Sequence, residues 1–138
     1  MNPVFLDVDD VLDRHAVQVA AYGGSAGIRD KGLLESAVAQ VWATFDGAFL
    51  HEGLPAMAPA YLFHIVKNHP FVDGNKRTGL DAAMTFLDLN ELVVDESFNE
   101  RLLEATLAVA EGRMAKDELT VLFSKLASPD GSDDAATS

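Results

Sequence analysis

His69, Asp73, Gly74, Asn75, Lys76 and Arg77 fall in one stretch, His69-Pro70-Phe71-Val72-Asp73-Gly74-Asn75-Lys76-Arg77-Thr78. It combines an imidazole, a carboxylate, a Gly-Asn turn and two cations, a set that suits chemistry on a nucleoside triphosphate. An imidazole can take a proton from an attacking hydroxyl. A carboxylate offers a hard oxygen to Mg²⁺, which usually binds one or two carboxylates together with substrate phosphates. Gly74 can adopt a backbone that lets amides approach a ligand. The amides of Asn75 to Thr78 are then the free donors of a helix N-terminus, which binds anions through its N–H groups and dipole. Lys76 and Arg77 add charge there, arginine in a geometry suited to bidentate phosphate contacts. The same residue types also describe a helix stop with a core aromatic followed by an ordinary turn, and both readings stay open on types alone. The Gly-x-x-x-x-Gly-Lys-Ser/Thr phosphate loop is absent.

The flanking patterns predict helices on both sides of the stretch. Asp7 is placed to cap a first helix ending near Tyr22, with Val8, Val11, Leu12, His15 and Val19 on one stripe and Gly23-Gly24 as the stop. Asp30 caps a second helix carrying Leu33, Leu34, Ala37, Val38 and Val41. Thr44 to Leu54 is long, glycine-marked and apolar enough for a packed flap. A third helix starts near Pro55, is apolar almost all round, and ends at His69-Pro70 because a residue before proline is pushed out of helical geometry. A fourth runs from about Asn75 to Leu89, and Leu92-Val93-Val94 reads as short and extended. Ser97-Phe98-Asn99-Glu100 matches a capping box that opens a fifth helix, closed by Gly112, and Asp117 to Leu126 makes a sixth. Phe71 is expected in the core. His15 and His64 read as satisfied or exposed helix residues, and His51 as a flap residue within reach of target or nucleotide.

The expectation is therefore an all-α, compact single-domain bundle of about six helices with a flap, spanning residues 1–127, and a disordered acidic tail over residues 128–138. With 49% apolar residues the chain is globular in composition, and no cysteine is present to suggest a disulfide scaffold. Neither a basic-then-apolar leader nor an apolar run approaching the ~20 residues of a membrane span is visible, so a soluble, cytoplasmic protein is expected. The net charge of −12 disfavours general affinity for nucleic acid or anionic lipid. Against it, Lys67, Lys76, Arg77, His64 and His69 cluster together, which suits a small anionic ligand.

The full decapeptide resembles the signature of the Fic/Doc (Fido) family, His-Pro/x-Phe-x-Asp/Glu-Gly/Ala-Asn followed by Gly or Lys and then Arg-Thr. Gly27-Ile28-Arg29-Asp30, Gly32-Leu33-Leu34-Glu35-Ser36-Ala37 and Val66-Lys67-Asn68 are similar to death-on-curing (Doc) toxins. The likeness spans roughly residues 3 to 127. AMP-transferring Fic enzymes resemble His-Pro-Phe-x-x-Gly-Asn-Gly-Arg-x-x-Arg. Here Lys76 replaces the second glycine and Leu80 the second arginine. A lysine crowds the nest for the inner phosphates, and Doc-type toxins hold the nucleotide in the reverse sense. The resemblance thus implies a Mg²⁺-dependent protein Ser/Thr kinase that moves the ATP γ-phosphoryl to a threonine of elongation factor Tu and arrests translation. A Fic-type AMP transferase acting on a protein hydroxyl is the alternative, and a non-catalytic domain of the same fold a third reading.

On the same resemblance His69 is the base, Asp73 the Mg²⁺ ligand, and Gly74, Asn75, Lys76 and Arg77 the cradle for ATP, with Arg77 also stabilising the transferred charge. The implied partner is a prevent-host-death type antitoxin whose C-terminal segment folds into an apolar groove beside the first two helices. Thr106 to Gly112 is similar to the self-inhibitory Ser/Thr-x-x-x-Glu-Gly/Asn helix of some Fic proteins but is one residue too long. Glu111 is therefore expected merely to end its helix, with inhibition supplied by another chain.

Overall fold

A computed structural model of the chain describes residues 3–45, 48–49 and 53–126. Positions 46, 47 and 50–52 of the expected flap, His51 included, lie outside the described residues, as does the expected acidic tail.

Helix α1, Val8–Tyr22, opens on a reciprocal cap: the Asp7 carboxylate accepts from the Asp10 amide and the Asp10 carboxylate from the Asp7 amide, both at 2.9 Å. Asp30 caps α2, Lys31–Val41, accepting from the Leu33 amide at 3.0 Å. Two short strands, β1 (Thr44–Phe45) and β2 (Ala48–Phe49), pair antiparallel with Thr44 opposite Phe49. Helix α3, Leu54–Asn68, carries Pro55 in its first turn and buries Met57, Tyr61, Leu62, Ile65 and Val66. Its nearly all-apolar surface makes it the axis of the fold. The helices α2, α4 (Asn75–Leu89), α5 (Asn99–Ala110) and α6 (Lys116–Leu126) all pack against it, while α1 lies mainly on α4.

The described residues thus form an all-helical fold of six α-helices with one short hairpin. Two polar clamps pin the segment ahead of α1. The Tyr61 hydroxyl accepts from the Leu6 amide at 2.7 Å and donates to its carbonyl at 2.9 Å. Asn90 holds Val4 in the same way, by an amide bond of 2.8 Å and a carbonyl bond of 2.9 Å. Gly79 lets α3 and α4 approach closely, since a Cβ there would stand 2.9 Å from Val66 Cγ2 and 3.2 Å from the Leu62 carbonyl oxygen.

The capping box expected at Ser97 does not form. Asp95, two residues earlier, accepts from the Ser97 amide at 2.8 Å and starts a 3-10 turn, Glu96–Phe98, that runs into α5. The Asp95 carboxylate takes the Ser97 amide that Glu100 would accept in the capping box, and Ser97 becomes part of the turn. Residues 92–94 make no strand.

Candidate active site

The loop between α3 and α4 begins with a left-handed residue. His69 has φ 51° and ψ 55°, and its amide donates to Ile65 O at 3.1 Å. Pro70 disfavours the right-handed helical conformation at the preceding position. A left-handed backbone at a non-glycine residue costs about 1–2 kcal/mol, so neighbouring contacts have to hold it. Arg29 makes two of them, donating from Nε to His69 O at 2.6 Å and from Nη2 to Asn68 O at 2.9 Å. The Asn68 side chain ties the same helix end to Leu33 O at 2.9 Å.

From there the loop is sewn to the segment before α2. Pro70 O accepts from the amides of Arg29 and Asp30, Phe71 bridges Ile28, and the Val72 amide donates to Gly27 O. Phe71 is fully buried, as expected. Asn75, at the first position of α4, closes the loop with its side chain: Oδ1 accepts from the Phe71 amide and Nδ2 donates to the Phe71 carbonyl, each at 2.9 Å.

Asp73 is exposed, and its carboxylate accepts from the Gly74 amide at 2.8 Å. Gly24 passes so close that a Cβ on it would meet Asp73 Oδ2 at 2.5 Å, and its φ of 106° also excludes a side chain there. Gly74, at φ 80° and ψ 17°, is the N-cap of α4 and brings no side-chain cap to the first amides of the helix. Those amides are the orphan donors that favour an anion.

A pocket of about 260 Å³ is lined by Val66, His69, Val72, Asp73, Gly74, Asn75, Lys76 and Ala110. The structure therefore brings together the imidazole, the carboxylate and the cationic helix start singled out in the sequence. Two of those residues act otherwise than by type. The Asn75 side chain is engaged at both its oxygen and its nitrogen with Phe71. Arg77 does not line the pocket; its guanidinium lies over the Tyr22 ring, 5.3 Å from the centroid, and Nη2 is 3.4 Å from Gly23 O. It borders a neighbouring groove of about 930 Å³ between α1, α4 and α5, where Leu80, Met84, Leu103 and Leu107 supply apolar surface and Lys76 touches both spaces. The apolar groove expected beside the first two helices thus shares only α1 with this one.

His15 is the residue sequence reasoning underrated. It is buried, stacks flat on Phe71 and sets Nε2 2.8 Å from Asp73 O. Its place on an apolar stripe was the available signal, since a histidine there needs a buried partner. Asp81 is a second, half-buried polar centre, receiving Arg14 Nε at 2.7 Å, Arg14 Nη2 at 3.0 Å, Thr85 Oγ1 at 2.8 Å and Gln18 Nε2. Burial favours its neutral form, but the hydrogen bonds from Arg14, Thr85 and Gln18 and the charge of Arg14 outweigh that and lower its pKa.

His64 does not line this pocket, and its Nε2 stands 3.1 Å from Lys116 Nζ. Glu111 caps the end of α5 and pairs with Arg113 at 2.7 Å, in keeping with a helix-end role. No described helix is long and apolar enough to cross a membrane.

Comparison with known proteins agrees with this arrangement. Over 95 residues the chain is 41% identical to the protein named Toxin Doc of Mycolicibacterium smegmatis, a match covering 69% of this chain and 71% of the relative. It is 29% identical over 107 residues to the Protein kinase doc of Escherichia phage P1, covering 78% and 82%. The Fic/DOC family pattern matches residues 5–87, a span holding α1 to α3, all but the last two residues of α4 and the whole loop between His69 and Lys76, and the chain belongs to the Fic/DOC family.

Proposed function

We propose that this protein is the toxin of a toxin–antitoxin pair and works as a protein kinase, moving the γ-phosphoryl group of ATP to a threonine hydroxyl of elongation factor Tu. The observation that carries the reading is the shared pocket of His69, Asp73 and Lys76 at the uncapped start of α4. The names of the two relatives, a toxin and a protein kinase, support it.

In this reading a ring nitrogen of His69 takes the proton of the target hydroxyl as its oxygen attacks the γ-phosphorus, and ADP leaves. The first amides of α4 and Lys76 hold the phosphates. Such transfer depends mainly on position and charge stabilisation, which a fixed helix end provides without reorganisation. Arg77 joins by exchanging its contact with Tyr22 for a phosphate.

The residues fit a Mg²⁺ ion that arrives with ATP. Among the described residues no group of three or more acidic or histidine side chains could form a cage, whereas exposed Asp73 lines the pocket as a single carboxylate. The ion supplies charge neutralisation on the phosphates when bound. Tilting Asp73 is left to the protein, through Gly24, His15 and the Gly74 amide.

For the antitoxin, the groove of Leu80, Met84, Leu103 and Leu107 offers the apolar lining that an ordering helix needs. Cytoplasmic action follows from the proposed target.

The test is incubation of the protein with Mg²⁺, elongation factor Tu and ATP labelled at either the α- or the γ-phosphate, with His69→Ala as control. Transfer of γ-label alone, lost in the control, is the expected result. Transfer of α-label would replace this reading with AMP transfer and refute the orientation inferred from Lys76 and Leu80.

A further inference from the structure

We infer that Arg29 is a positioning residue for His69, an inference that rests on His69 being the base of the proposed reaction. The carbonyls of Asn68 and His69 belong to the two peptide planes that flank the His69 Cα. Arg29 donates to both, Nη2 to Asn68 O at 2.9 Å and Nε to His69 O at 2.6 Å. Since φ and ψ of His69 are the rotations between those planes, one rigid guanidinium that grips both oxygens sets the two angles together. The direction of the His69 Cα–Cβ bond follows.

Several observations make this more than a surface contact. The conformation being held, φ 51° and ψ 55°, is one that a non-glycine residue rarely adopts unaided. Arg29 is itself anchored, for its amide and that of Asp30 both donate to Pro70 O, at 2.7 Å and 3.0 Å. Asp30 is fixed in turn as the cap of α2. A planar fork matches two neighbouring oxygens in a way that the single ammonium of lysine does not. Arg29 does not line the pocket of His69, Asp73 and Lys76, so its effect passes through the His69 backbone and not through contact with a nucleotide.

The experiment compares wild type, Arg29→Ala and Arg29→Lys. Two quantities are measured: the His69 Cα and Cβ chemical shifts, which report the left-handed backbone, and the steady-state constants for γ-phosphoryl transfer from ATP. In both variants the His69 shifts should leave their left-handed values or broaden. The turnover number should fall about tenfold, with KM for ATP changed less than about twofold, because geometry and not binding is lost. Lysine should recover little, since it keeps the charge but not the fork.

Wild-type His69 shifts in both folded variants would overturn the inference. So would a higher KM at unchanged turnover, the mark of a residue that contacts substrate. Should Arg29→Ala fail to fold, the shifts of Arg29→Lys decide. If wild type transfers no γ-phosphoryl group, the proposed kinase reaction fails, and the His69 shifts still settle whether Arg29 holds that backbone.

Discussion

The imidazole of His15 lies flat on Phe71, ring centroids 3.8 Å apart and planes 4° from parallel, and its Nε2 reaches the Asp73 carbonyl at 2.8 Å. A carbonyl only accepts, so Nε2 carries the hydrogen. One α1 side chain thus supports the core aromatic of the loop and fixes the peptide next to the carboxylate. His15→Phe keeps the stacking and removes the donor, and should cost about 1–2 kcal/mol. His15→Ala removes the ring as well and should cost roughly 3 kcal/mol or more. Urea denaturation of both variants checks the order; a wild-type stability for His15→Phe would show that the carbonyl bond holds nothing.

Asn75 should prove a loop clamp first. With both amide bonds to Phe71 removed, Asn75→Ala is expected to lose about 2–3 kcal/mol. Asn75→Asp should be no milder, because it sets an acceptor against the Phe71 carbonyl. The readout is thermal unfolding alongside nucleotide binding. A variant with unchanged stability but lost binding would reassign the carboxamide to the ligand.

Thr78 belongs to the signature, yet its hydroxyl is buried and has no hydrogen-bond partner among the described residues. Replacing an unpartnered buried hydroxyl by a methyl of the same shape is neutral or favourable. Thr78→Val should therefore keep activity and match or exceed wild-type stability by up to about 1 kcal/mol. Strong destabilisation would reveal a partner for the hydroxyl.

Asp81 predicts an acid limb in the stability curve. Its folded pKa lies below the ordinary 3.8. Its contribution is accordingly complete above that ordinary value and is lost as pH falls through the lowered folded one. Asp81→Asn should lower stability at neutral pH by roughly 1–2 kcal/mol, with part of the Arg14 attraction already screened by solvent. The gap between wild type and variant should close on acidification below about pH 4. Unfolding midpoints across that range test it, and a gap independent of pH would refute the assignment.

Local signals were legible in the sequence where cause and effect lie within a few residues. Asp7, Asp30, the His69-Pro70 stop and the Gly74-Asn75 start each act on the next turn of chain, and each was placed within a residue. Ser97 misled because Asp95, just upstream, takes the Ser97 amide that the capping box assigns to Glu100. The roles of Asn75, Arg77 and His15 were hidden for a different reason. Asn75 looks like a ligand residue until Phe71 is folded against it, and the partners of Arg77 and His15 stand 54 and 58 positions away in sequence. Arg29 was visible as part of a likeness but not as a fork across two carbonyls.

Gly79 stands immediately after the signature and belongs to none of its chemistry, yet its missing methyl determines how near the start of α4 comes to the end of α3. His69 closes one of those helices and the uncapped amides open the other. A methyl missing from one position therefore acts as a spacer gauge for a pocket several residues away. Two chains with every signature letter in common could differ in that gauge by a methyl and present the same groups at different separations. In this fold, the identity of a site lies as much in the thickness of its scaffold as in its reactive side chains.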